Sequence, residues 1–81
     1  MHDDITLEIA TPNGIFTATF PKTTKVTEVI AAAVADRQLA QGDAFDLVHN
    51  GEALQPVERP LVSFGLSGTV TLELVATGSG V

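Results

Sequence analysis

"ITLEIATPNGIFTATF", Ile5 to Phe20, decides how this chain folds. Ile5, Leu7 and Ile9 alternate with Thr6 and Glu8, the two-residue period of a strand with one buried face. "TPNG" then interrupts the pattern: Pro12 presets one turn dihedral, and Gly14 tolerates a positive φ. Alternation resumes with Phe16, Ala18 and Phe20 against Thr17 and Thr19. Two such runs around a short turn predict an antiparallel hairpin.

Pro21 ends the second run, and the period changes. In "KTTKVTEVIAAAVADRQL", Val26, Val29, Ile30 and Ala33 recur at three- and four-residue spacings, which predicts a helix. Thr24 is its candidate N-cap, because a threonine hydroxyl accepts a bond from a free first-turn amide. Arg37 falls in the expected last turn, where positive charge suits the helix dipole. Leu39 is expected to fold back as an apolar plug, and Gln41 to Asp43 to form a turn. "AFDLVHNGEAL" holds a third strand with Phe45 and Leu47 on one face, and Asn50-Gly51 signals a reversal. A short strand is expected around Ala53 and Leu54. The next segment is mostly loop, with Leu61, Phe64 and Leu66 spaced like anchors of a short helical turn. "TVTLELVA" alternates again, with Val70, Leu72 and Leu74 on one face and Thr69, Thr71, Glu73 and Val75 on the other.

A sheet with one helix on one face is an α+β layer arrangement. The first and last strands are long and well patterned, which suits both to central positions. Parallel pairing between them needs a crossover, and the helix provides one.

The 81 residues suffice for one domain, with ten acids against four bases and a net charge of −6. Such a surface argues against nucleic acid and anionic membranes as partners, since phosphate binding needs a basic footprint. It suits a basic partner surface. Cysteine is absent, which excludes disulfides, thiolate metal sites and a cysteine nucleophile. The cysteine count fits a cytoplasmic location. The acidic start "MHDDI" does not read as a signal peptide. His2 lies beside Asp3 and Asp4 in what reads as a solvated start, and His49 reads as a surface histidine before a turn. No catalytic Ser-His-Asp spacing, phosphate-binding glycine loop or metal-ligand cluster occurs, so the expectation is a protein that is not an enzyme, with no cofactor and no metal.

The chain resembles the ubiquitin-like β-grasp family from about Ile5 to Gly80. Ile5, Leu7, Ile9, Phe16, Ala18 and Phe20 are similar to the inward series of that family's first hairpin. Val26, Val29 and Ala33 resemble its helix core positions, and "LVHNGEAL" (Leu47 to Leu54) its third strand and turn. "LVSFGL" (Leu61 to Leu66) resembles its short-helix segment, and "TVTLELVA" with the glycine-containing end its last strand and conjugation tail. More narrowly, the short acidic chain resembles bacterial ubiquitin-like modifier proteins. The resemblance implies a mixed sheet of four to five strands packed on one α-helix. It also implies a β-grasp domain over residues 1–76 and a flexible C-terminal tail over residues 77–81.

In modifiers of this family a terminal glycine carboxylate is adenylated and then passed to a thioester. The resemblance therefore implies three partners: an activating enzyme, a conjugating enzyme and a tail-processing peptidase. Glycine suits a tail that must thread a narrow channel, having no side chain. The family's usual ending is two adjacent glycines, whereas this chain has Gly78, Ser79, Gly80 and then Val81. The expectation is removal of Val81 and use of Gly80 as the reactive terminus. The alternatives are a β-grasp module that is never conjugated, and a sulfur carrier with a terminal thiocarboxylate. Ser79 and Val81 count against the carrier, which normally needs a bare diglycine end.

In ubiquitin-like proteins one sheet face carries an apolar recognition patch. Val48 matches its central position, and Thr71 and Glu73 fall where the last strand contributes, so the patch is diluted. Val48, Thr71, Glu73 and Val75 form the candidate partner surface. Lys22 and Lys25 are the only lysines for chain extension, which favours single attachment to a target.

Overall fold

The computed structural model describes residues 4–39 and 44–77, with only the backbone described at Thr77. The element order is β1 (Asp4–Thr11), β2 (Gly14–Pro21), α1 (Val26–Asp36), β3 (Ala44–His49), β4 (Glu52–Ala53), a 3-10 turn (Leu61–Phe64) and β5 (Thr69–Thr77). The five strands form one sheet in the order β2-β1-β5-β3-β4. β1 and β5 lie side by side and parallel at its centre, and every other pairing is antiparallel. This is the ubiquitin-like β-grasp fold, with one helix across one face of a mixed sheet.

The alternation of the strands sets what is buried. Ile5, Leu7 and Ile9 of β1 meet Val70, Leu72 and Leu74 of β5 on the helix side, together with Leu47 of β3. Val26, Val29, Ala33 and Val34 cover them from α1, and Leu54, Leu61 and Leu66 close the core from the loops. Each fully buried aliphatic side chain contributes about 1.5–3 kcal/mol of transfer free energy. Among the described residues the core contains no polar or charged side chain. The inward series of the hairpin fades along β2: Phe16 is buried, whereas Ala18 and Phe20 are only half-buried. Leu39 packs against the core edge as the plug expected, while the turn expected at Gln41 to Asp43 lies outside the described residues.

The helix start differs from expectation. Lys25, not Thr24, is the N-cap. A lysine ammonium cannot accept a hydrogen bond, so the first-turn amides are satisfied from elsewhere. Val26 N–H donates to the Arg59 carbonyl (3.1 Å) and Thr27 N–H to the Val57 carbonyl (2.9 Å). Glu28 accepts the Lys25 N–H through Oε1 at 3.2 Å, the reciprocal half of a capping box. The Thr24 carbonyl in turn accepts the Leu61 N–H at 2.9 Å. A backbone exchange with the 55–62 loop thus replaces the hydroxyl cap. The helix also ends one residue early: Arg37 is its C-cap, with the side chain turned toward the β1–β2 turn.

Both hairpin turns follow their sequence signals. Thr11 Oγ1 accepts the Asn13 N–H and donates to the Gly14 carbonyl, with Gly14 at φ 109°. Asn50 and Gly51 both hold positive φ, 54° and 83°, the pattern of a two-residue I′ hairpin. That turn sets the register in which Val48 faces Ala53.

Candidate functional site

The face of the sheet turned away from α1 is assembled by strand register. Residues opposite one another on neighbouring strands share a face, so the pairings define rows across the sheet. One row runs Ile15, Ala10, Glu73, Val48, Ala53 across all five strands. A second runs Thr17, Glu8, Thr71, and a third Thr19, Thr6, Thr69. The Thr6 and Thr19 hydroxyls lie 3.0 Å apart. At the C-terminal end of β5, Val75 stands opposite Asp46, whose Oδ2 accepts a bond from Gln55 Nε2 at 3.2 Å.

Val48, Thr71, Glu73 and Val75, the candidate partner surface, are therefore on one face. Val48 and Glu73 are direct cross-strand neighbours, and Thr71 faces Glu8 instead. Val48 is half-buried; Thr71, Glu73 and Val75 are exposed. Ile15 and Ala10 extend the same row, and sequence reading did not place them there. Ile15 is the most exposed large apolar side chain described, at 67%. Its signal was its phase: it sits one residue before Phe16, so a strand that buries Phe16 must turn Ile15 outward.

Charge is segregated on the same geometry. Glu8, Glu73 and Asp46 stand on this face, with Asp4 at its far end on β1. The four cations of the chain lie off it: Lys22 and Lys25 between β2 and α1, Arg37 at the helix C-cap and Arg59 in the loop before the 3-10 turn. The face is thus an apolar row crossed by one carboxylate and bordered by two others.

The last β1–β5 pair is Ala10 with Glu73, whereas β5 continues beside β3 as far as Thr77. The end of β5 therefore projects past the β1 ladder on the side where the apolar row lies. Gly78, Ser79, Gly80 and Val81, the expected tail and processing site, lie outside the described residues, as does His2. His49 is half-buried at the β3–β4 turn, opposite Glu52. With Ser67 and Thr71 it borders an open cavity of about 330 Å³. Among the described residues no group of His, Asp and Glu side chains is placed to hold a metal ion. No described helix is long and apolar enough to cross a membrane.

A chain with this strand order, this single helix and this central parallel pair has the architecture of ubiquitin and its relatives. Solved structures share it over nearly the full length. A ubiquitin from Caldiarchaeum subterraneum superposes with a TM-score of 0.78 at 18% identity, over 96% of this chain and 99% of that one. A de novo design based on ubiquitin gives 0.79 at 22% identity, over 96% and 94%. A structure described as molecular mimicry of SUMO that promotes DNA repair gives 0.81 at 20% identity, over 93% and 94%. No protein-family model and no curated relative matches the sequence.

Proposed function

We propose that this chain is a ubiquitin-like modifier, composed of a β-grasp domain over residues 1–76 and a tail over residues 77–81, and that it acts in the cytoplasm as bacterial ubiquitin-like modifier proteins do. The observation that supports this best is the adjacency of the apolar row to the projecting end of β5. A protein that grips Val48, Glu73 and Val75 holds the chain a few residues from Gly80. In this reading a peptidase removes Val81. The Gly80 carboxylate then attacks the α-phosphate of ATP on an activating enzyme, releasing pyrophosphate and forming an acyl adenylate. An enzyme thiolate displaces AMP, the conjugating enzyme accepts the thioester, and a target amine takes the acyl group. The catalytic groups belong to the partners, and this chain supplies the electrophile. It requires no cofactor or metal of its own.

A second reading, a β-grasp module that is never conjugated, draws support from Ser79 between the glycines and from the same exposed row, which can bind a partner without any tail chemistry. A sulfur carrier is disfavoured by Ser79 and Val81. One experiment separates the three. The chain ending at Gly80 is incubated with ATP and a candidate activating enzyme, beside the chain ending at Val81 and a Gly80→Ala variant. A thioester formed only by the Gly80 end, followed by target adducts, supports the modifier. A stable thiocarboxylate supports the carrier. Equal silence from all three chains, with retained binding to a partner, supports the module.

A further inference from the structure

We propose that the chain associates with a second copy of itself through the free edge of β2, as an antiparallel two-fold dimer centred on Ala18. Natural edge strands carry charge, internal proline or a bulge that deters pairing. β2 carries none of these: Gly14–Pro21 pairs continuously with β1 and contains no charged residue, with proline only at its last position. In a chain of net charge −6, this is a stretch where two copies can approach without facing carboxylates.

The backbone phase follows from the hydrogen bonds. Thr6 N–H donates to the Gly68 carbonyl at 2.8 Å, so Thr6 directs its backbone groups toward β5. Ile5, Leu7 and Ile9 therefore direct theirs toward β2, where they face Phe20, Ala18 and Phe16. Ile15, Thr17 and Thr19 are left with their N–H and C=O groups aimed at the open edge. An outward residue can pair only with an outward residue of the second copy. In a two-fold antiparallel pair that condition puts the axis through a residue, never between two.

An axis through Thr17 would pair all three outward residues, with six ladder bonds against four about Ala18, but the sequence is symmetric about Ala18 and that match of side chains selects the axis. Phe16-Thr17-Ala18-Thr19-Phe20 reads the same in both directions. The axis therefore sets each phenylalanine opposite a phenylalanine on the helix side and each threonine opposite a threonine on the outer side. Each Thr17–Thr19 pair exchanges two ladder bonds. The half-buried Ala18 and Phe20 gain cover. Pro21 ends the ladder, having no N–H and a carbonyl that already accepts the Thr24 N–H at 2.9 Å. The opposite edge of the sheet is β4, two residues long, so the assembly closes at two copies.

The absence of cysteine makes a direct test simple. In this geometry the two Ala18 Cα atoms face each other at about 4.5 Å, within disulfide range. Purified Ala18→Cys is expected to form a covalent dimer on mild oxidation, whereas Thr71→Cys, exposed at the sheet centre, stays monomeric. Sedimentation of the unaltered chain should show a concentration-dependent dimer. Thr17→Lys/Thr19→Lys and Thr17→Glu/Thr19→Glu should each lose it, and a mixture of the two should regain it. The lysine pair lowers the net charge, so its loss of dimer would reflect the edge and not overall repulsion. The proposal is overturned if the unaltered chain sediments as a monomer throughout, or if Ala18→Cys crosslinks no faster than Thr71→Cys. Dimerisation that survives both charged pairs also overturns it. Should those variants lose their circular-dichroism signature, the cysteine comparison decides alone.

Discussion

Asn13 and Arg37 exchange hydrogen bonds across the molecule: Asn13 Nδ2 donates to the Arg37 carbonyl at 2.9 Å, and Arg37 Nη1 donates to the Asn13 carbonyl at 3.4 Å. The first bond satisfies a carbonyl at the end of α1, and the second ties the helix to the tip of the first hairpin. The Arg37 guanidinium is steadied by Asp36, whose Oδ2 lies 3.2 Å from Nε. Asn13→Ala removes the better bond and leaves the helix end to water. The expected loss is about 0.5–1.5 kcal/mol in urea unfolding. A loss below about 0.3 kcal/mol would show the tie to be energetically idle.

Gly14 sits beside that tie at φ 109°, and a Cβ there would lie 3.3 Å from Arg37 Nη1. The contact is with the far end of a flexible side chain, which can move aside. The cost of Gly14→Ala is therefore expected to be a backbone cost, about 1–2 kcal/mol. Arg37→Ala should not relieve it. A double-mutant cycle is expected to be additive within about 0.5 kcal/mol, and clear relief would transfer the cost to the steric contact.

The backbone exchange at the start of α1 makes an opposed pair of predictions. Thr24→Ala should change stability by less than about 0.5 kcal/mol, because its hydroxyl caps nothing. Glu28→Ala should cost about 0.5–1 kcal/mol, through loss of the bond to the Lys25 N–H and of a negative charge in the first turn. Chemical denaturation of both variants decides the order; the reverse order would restore Thr24 as the cap.

Glu73 divides the apolar row between Ala10 and Val48. Glu73→Val joins the row and improves cross-strand packing, so stability should rise by about 0.2–1 kcal/mol. Dye binding to exposed apolar surface should rise with it. If the variant is instead less stable, Glu73 makes a favourable contact on that face. If a partner of the unaltered chain is in hand, the substitution should weaken binding to a basic surface while the fold persists.

The strands were legible because a half-buried strand writes its own period. Ile5, Leu7 and Ile9, and again Val70, Leu72 and Leu74, need only a sheet and a core to explain them. The Asn50-Gly51 turn was legible for a local reason, two positive φ angles in succession. The cap was misread because Thr24 has the right chemistry one residue too soon, and the groups that satisfy the helix come from Val57 and Arg59, on a loop that follows β4. Nothing local in the sequence announces a carbonyl arriving from that distance. The candidate face was half legible. Val48, Thr71, Glu73 and Val75 follow from phase alone, whereas the adjacency of Val48 to Glu73, and the reach of the row to Ile15, depend on register between strands far apart in the chain.

The place of β5 between β1 and β3 has a consequence for biosynthesis. Thr6 cannot meet Thr69 until the start of β5 has left the ribosome. Until then the hairpin of β1 and β2 emerges with one apolar flank uncovered and no neighbour on its inner side. A two-stranded hairpin is marginal in water, so the nascent chain has no stable smaller sheet to settle into. A messenger truncated before Thr69 yields a fragment without its central strand, a substrate for chaperones and proteases, and not a weaker version of the same domain.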